Sequence, residues 1–224
     1  MGASTQAMQR DDAQNPAMLW VQEGAAAWTR PTGRSAQSCA DCHGDAPTRM
    51  RGVAARYPAF DAALGRPLTL GQRINQCRQQ RQQAPALAAE GQELLGLESF
   101  VALQSRGMPV TATHDPRLRP FAEQGAALFG QRMGQLNLSC AQCHADRAGQ
   151  RLGGSVIPQG HANGYPIYRL EWQAMGSLQR RIRNCMTGVR AEPYAYGAPE
   201  MVALEVYLAQ RARGMPLESP AVRP

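Results

Sequence analysis

The sequence predicts an all-α protein made of two tandem domains related by internal duplication, and three observations carry that reading. The pattern Cys-x-x-Cys-His occurs twice, as Cys39-Ala-Asp-Cys42-His43 and as Cys140-Ala-Gln-Cys143-His144. The segments around the two copies also repeat at a nearly constant offset, and such self-similarity fixes the domain count before any local reading. Apolar residues recur at helical spacing, and nowhere is there a convincing alternating strand.

The elements follow in chain order. Met1 to Met18 is polar and lacks the apolar stretch of an export signal, so the chain reads as a mature form, with two domains spanning 16–109 and 121–216. Trp20 to Trp28 (WVQEGAAAW) answers Phe121 to Phe129 (FAEQGAALF); Gly24 and Trp28, like Gly125 and Phe129, lie four apart and share a helix face before each motif. After the motifs, Tyr57-Pro58 answers Tyr165-Pro166, with seven extra residues in the second copy between His144 and Tyr165. Arg73-Ile74 with Cys77 answers Arg181-Ile182 with Cys185. A further helix in each copy carries Leu94, Leu97 and Val101, or Met201, Leu204 and Leu208, spaced i, i+3, i+7. Gly107 and Gly214 read as the caps of these helices, each followed two residues on by proline. Between the copies, residues 110–120 (VTATHDPRLRP) carry Pro116 and Pro120, which disfavour helix and mark an ordered linker. A short Pro-rich tail, Leu217 to Pro224, closes the chain.

The 224 residues are 43% hydrophobic and 18% charged, enough apolar material for packed cores and incompatible with wholesale disorder. No apolar run approaches the ~18–20 residues of a membrane span. All 24 basic residues are Arg, which excludes Schiff-base chemistry and a P-loop lysine. The net charge of +7 has no basic block, so nucleic acid is not an expected partner; small anions or acidic protein surfaces are.

Cys-x-x-Cys-His is the attachment signature of c-type haem, and chance would give about 0.003 matches in a chain of this composition. Cys39, Cys42, Cys140 and Cys143 are therefore expected to form thioethers to two covalently bound haem c groups, with His43 and His144 as proximal iron ligands. Each copy is about 100 residues and poor in aromatics, so a covalent haem would supply apolar mass its core lacks. Cys77 and Cys185 leave three readings open: axial thiolates, a Cys77–Cys185 disulfide, or inert buried thiols. Their equivalent positions argue for the first, since each faces its own haem and the two need not meet. Arg181 precedes Cys185 by four residues, which on a helix places both on one face; its charged fork suits a sulfate-like oxygen set or a haem propionate. Arg73 is its counterpart beside Cys77. His161, His114, Met108 and Met215 read as loop or packing residues.

The Gly-x-x-x-aromatic helix, the Cys-x-x-Cys-His motif and a C-terminal helix with Phe100 or Tyr207 to pack back resemble class I cytochrome c domains. The paired cysteines where that family usually has a distal Met, the Arg-Ile-x-x-Cys segments and the Arg-Gly-Met-Pro endings (residues 106–109 and 213–216) resemble the SoxA family, dihaem subunits of the SoxAX cytochromes of bacterial sulfur oxidation. The resemblance implies an L-cysteine S-thiosulfotransferase located in the periplasm. It implies thiosulfate as substrate, a SoxX-like monohaem cytochrome c as electron-accepting subunit, and a SoxYZ-like sulfur-carrier protein as acceptor. It places catalysis on Cys185, an iron ligand that can carry an extra sulfur, with Arg181 holding the thiosulfate anion. A thiosulfate dehydrogenase forming tetrathionate is the first alternative, disfavoured by cysteine in both ligand positions and the lack of lysine. A non-catalytic dihaem electron-transfer protein is the second.

Overall fold

The computed structural model describes residues 2–224. Its first half runs α1 (Ala3–Arg10), α2 (Met18–Thr29), α3 (Cys39–His43), α4 (Ala46–Arg49), β1 (Ala59–Asp61), β2 (Arg66–Leu68), α5 (Leu70–Gln80) and α6 (Gln92–Leu103). The second half repeats the order: α7 (Arg119–Gly130), α8 (Cys140–His144), β3 (Arg151–Leu152), β4 (Ser155–Val156), β5 (Ile167–Arg169), β6 (Ala174–Gly176), α9 (Leu178–Gly188), α10 (Pro199–Arg211) and β7 (Ala221–Arg223). Helices dominate, but the all-α expectation holds only in part. β1–β2 and β5–β6 are antiparallel hairpins, β3–β4 is a two-residue ladder in the longer loop, and β7 adds to β5 in parallel. Strands of two or three residues are too short for an alternating pattern to show in sequence.

The periodic helices form where the sequence puts them. α6 buries Leu94, Leu97 and Val101; α10 buries Met201, Leu204 and Leu208. α2 crosses α6 at Gly24, where a Cβ would lie 2.0 Å from the Gly96 carbonyl oxygen, and α7 crosses α10 at Gly125, where it would lie 2.1 Å from that of Ala203. Only a residue without a side chain lets the backbones meet so closely. The predicted caps need correction. α6 and α10 end at Gln104 and Ala212, and Gly107 and Gly214, at φ +81° and +78°, close the following turns instead. Residues 110–120 are also more structured than a plain connector: 112–114 and 116–118 are 3-10 turns, and Pro120 sits in the first turn of α7, where its missing N–H costs nothing.

An approximate two-fold axis relates the halves. Gly107 N–H donates to Leu217 O and Gly214 N–H to Val110 O, while Val110 N–H donates to Met215 O and Leu217 N–H to Met108 O. The two Arg-Gly-Met-Pro segments are thus each other's backbone partners. The hairpins are exchanged about the same axis. Phe60 of β1 packs on Leu118, Ala122, Val206 and Phe121 of the second half, and Tyr168 and Met175 of β5 and β6 pack on Ala17, Trp20 and Leu95 of the first. Phe60–Phe121 and Trp20–Tyr168 have centroid separations of 6.3 and 5.7 Å. The tail joins this shared core: Val222 is fully buried, and Asn15 donates to Pro220 O at 2.9 Å.

Candidate haem and active site

Both Cys-x-x-Cys-His segments are single helical turns opened by a capping box. Ser38 and Asp41 satisfy each other's backbone N–H in α3, and Ser139 and Gln142 do so in α8. The turn places both cysteines and the histidine at fixed positions before any cofactor is attached. Apolar side chains surround each motif: Trp28, Val101, Met50, Val53, Leu70 and Phe100 around Cys39, and Phe129, Leu178, Leu204, Leu208, Tyr165 and Tyr207 around Cys140. Phe100 and Tyr207 pack back as expected, with ring centroids 5.8 Å from Trp28 and 5.2 Å from Phe129.

The odd cysteines lie on the helices that follow the hairpins. Thr69 caps α5 in a capping box with Gln72, and Ser177 caps α9. Cys77 on α5 is half-buried and close enough to Cys39 and Cys42 to interact electrostatically with both; Cys185 on α9 stands in the same relation to Cys140. All six cysteines are free, and each odd cysteine meets the motif of its own half, so a Cys77–Cys185 disulfide does not form. Burial pushes the Cys77 thiol up, with Arg73 and Arg81 opposing, and pushes Cys140 up to about 11, with Cys185 adding to the effect.

The residues fit a covalent haem. Two thiols one helical turn apart, a neighbouring imidazole and a third thiol on a facing helix, inside an apolar wall, are donors that could anchor a haem c and hold its iron. His144 Nδ1–H donates to Pro158 O over 2.8 Å, which orients its ring and leaves Nε2 for a metal. Among the described residues no group of three or more His, Cys, Asp or Glu could hold a bare metal ion, whereas a haem iron needs only two protein ligands.

Arg73 and Arg181 occupy equivalent turns, yet their surroundings differ. Arg73 pairs with Asp61 at 2.9 Å and hydrogen-bonds Gln76 at 2.5 Å. Arg181 has no side-chain hydrogen bond or ion pair among the described residues. Beside it lies the Tyr165 hydroxyl, which burial pushes up to about 12 and which feels the charges of Arg181, Cys185, Arg169 and Arg223. Arg183 donates to Pro193 O and Tyr194 O and lies over the Tyr196 ring, a structural role. His161 is half-buried beside Arg211, and both burial and that charge lower its pKa; His114 is exposed.

Two features escaped the sequence reading. A cavity of about 440 Å³ lies between the halves, lined by the equivalent pairs Tyr57 and Tyr165, and Glu98 and Glu205, with Gln72 and Gln179 beside them. Glu98 and Glu205 are equivalent positions on α6 and α10, and an acid on an otherwise apolar helix face was the available signal. The other is Asp61, whose equivalent is Arg169.

The family described as SoxA/TsdA, cytochrome c domain, matches residues 23–110 and again 124–217. The L-cysteine S-thiosulfotransferase subunit SoxA of Rhodovulum sulfidophilum is 39% identical over 98% of this chain and 76% of its own length. The same subunit from Pseudaminobacter salicylatoxidans is 39% identical over 99% and 78%. A crystal structure of SoxXA from P. pantotrophus superposes with a TM-score of 0.95 at 34% identity, over all of this chain and 84% of that one.

Proposed function

The chain belongs to the SoxA/TsdA cytochrome c family and acts as an L-cysteine S-thiosulfotransferase subunit; from that premise we propose how its own residues divide the work. Residues 16–109 and 121–216 form two haem c domains joined by 110–120. Cys39 and Cys42 would anchor one haem and Cys140 and Cys143 the other, with His43 and Cys77, and His144 and Cys185, as the residues that would hold the iron. The second domain is the reacting one. The observation that carries this is Arg181: one helical turn before Cys185, it is free to take an anion, while Arg73 is tied to Asp61.

The reaction joins thiosulfate to the cysteine of a sulfur-carrier protein: R-SH + S₂O₃²⁻ → R-S-S-SO₃⁻ + H⁺ + 2e⁻. One S–S bond forms, the thiol proton leaves, and two electrons pass one at a time to a monohaem partner subunit. Haem c, when bound, supplies the one-electron carrier at each site. Cys185 holds the sulfur being transferred, and Arg181 holds the sulfonate end through charge-assisted hydrogen bonds. The SoxXA likeness supports a SoxX-type monohaem partner. Covalent haem attachment supports a periplasmic location, and no helix among the described residues is long and apolar enough to cross a membrane.

Replacing Cys185 by Ala is expected to abolish thiosulfate-dependent transfer to a carrier thiol, while peptide mass spectrometry still finds haem on both motifs. Wild-type turnover in that variant would falsify the assignment.

A further inference from the structure

The duplicated halves serve as controls for each other, because the same backbone carries different side chains at the same places. Tyr57-Pro58 and Tyr165-Pro166 are both cis, β1–β2 and β5–β6 have the same register, and Thr69 and Ser177 cap the ligand helices alike. At the last residue of the first strand the halves diverge: Asp61 in β1, Arg169 in β5. Asp61 is 7% exposed at its side chain and accepts from Arg73, from Gln76 at 3.3 Å and from the Leu64 N–H at 2.9 Å. It therefore neutralises the arginine one turn before Cys77 and fills its hydrogen-bonding fork.

Arg169 cannot do this for Arg181. It lies over the Trp172 ring, 5.2 Å from its centroid, and its sole ion-pair partner among the described residues is Glu171, at 2.6 Å and 64% exposed. Such a pair is largely screened by water. The Nε of Arg169 is buried with no hydrogen-bond partner, although the side chain is charged. Trp172 is held between Arg169 and Arg180, whose equivalent in the first half is Gln72, while Leu64 in the place of Trp172 is exposed. On α9 the arginines at 180, 181 and 183 all precede the cysteine; on α5 only Arg73 does, with Arg78 after it and paired to Glu93. The second half thus has an arginine at the end of its hairpin strand and more arginines ahead of its cysteine, where the first half places a carboxylate.

We propose that the residue at this strand position decides which half binds the substrate anion: Arg169 is a second anion-binding residue that acts with Arg181, and Asp61 shuts the equivalent place beside Cys77. The Trp172 contact holds the Arg169 guanidinium in place, and its charge, offset only by the water-screened Glu171, attracts the sulfonate.

The proposal rests on Cys185 and Arg181 forming the reacting site, and the test separates the two. The dihaem chain in complex with its monohaem partner is titrated calorimetrically with thiosulfate, and with sulfate as an unreactive probe. Arg169→Gln and Arg181→Gln are each expected to weaken both anions about tenfold, the loss of one charge-assisted contact. Arg169→Gln should raise KM for thiosulfate by a similar factor with kcat within about threefold, and Arg169→Lys should recover most of the affinity. Asp61→Asn is expected to give a second, weaker binding event. An unchanged affinity in Arg181→Gln sinks the reading of the site as a whole. Weakening in Arg181→Gln with none in Arg169→Gln sinks only the role of Arg169, as does a shifted haem midpoint potential with unaltered anion affinity, which would make Arg169 a haem-carboxylate partner. A single binding event in Asp61→Asn overturns the role of Asp61. Haem stoichiometry and thermal melting of each variant identify any that fail to fold, and for those Arg169→Lys carries the comparison.

Discussion

At the scale of single residues, the acids lining the cavity between the halves give the most direct handle on pH. Burial in the shared cavity, with the charges of Glu205 and Glu90 adding, raises Glu98 to about 8; burial, with Glu90 adding, raises Glu205 to about 7, against the hydrogen bond it accepts from Gln179 at 2.6 Å. Both are then neutral in the folded chain at pH values where the unfolded chain, titrating near the ordinary 4.5, has already ionised. The folded state binds the extra protons, so stability falls as pH rises from about 5 to about 8, by an amount on the order of a few kcal/mol for the pair. Replacing both by Gln keeps the shape and the Gln179 contact, and is expected to flatten the fall of the denaturation midpoint between pH 5.5 and 8.5; an unchanged slope would show that these groups do not titrate in that window. Most of the residues assigned to the site were legible because haem attachment demands a fixed spacing of rare residue types. Asp61 and Arg169 were not, since an acid and a base at the end of a three-residue strand carry no signal until the strand pairs and the ligand helix docks beside it.

At the scale of elements, the two helix crossings set how the halves hold together. Gly24 and Gly125 were read only as marks of a helix face, yet each is the point where two backbones touch. Gly125→Ala must push α7 and α10 apart against a carbonyl that cannot yield, and a loss of about 1–3 kcal/mol is expected. Gly188→Ala, in the last turn of α9 where a Cβ meets nothing within 4 Å, is the matched control and should be neutral or slightly stabilising by chemical denaturation. The long apolar helices were visible through their periodicity. The ligand helices α5 and α9 were harder to see because their composition is polar, with several Gln and Arg residues in each. Their capping residues, Thr69 with Gln72 and Ser177, were the available signal and went unread. The exchanged hairpins gave no such sign, for their strands owe their pairing to tertiary contacts rather than to any pattern of their own.

At the scale of the whole molecule, the apolar mass each half lacks comes partly from the other, through the hairpins and the tail. Removing residues 217–224 would strip β7 from β5, free Asn15 from Pro220 and open the cluster of Tyr168, Met175 and Leu95. The truncated chain is expected to melt at least several degrees lower, with protection from amide exchange lost in β5 and α1 before the helices around the haem motifs; an unchanged melting temperature would contradict the shared core. The reciprocal clamp between the two Arg-Gly-Met-Pro segments has a consequence for how the duplicated gene was able to diverge. Because each segment both gives and receives two backbone hydrogen bonds, a change of length inside 107–110 or 214–217 would break the partner's bonds as well as its own. Side chains there are exempt, as the bonds are all main chain. Drift in length is therefore channelled into stretches that answer to one half alone, and the seven additional residues between His144 and Tyr165 fall in such a stretch, on a loop whose Pro158 carbonyl accepts from His144.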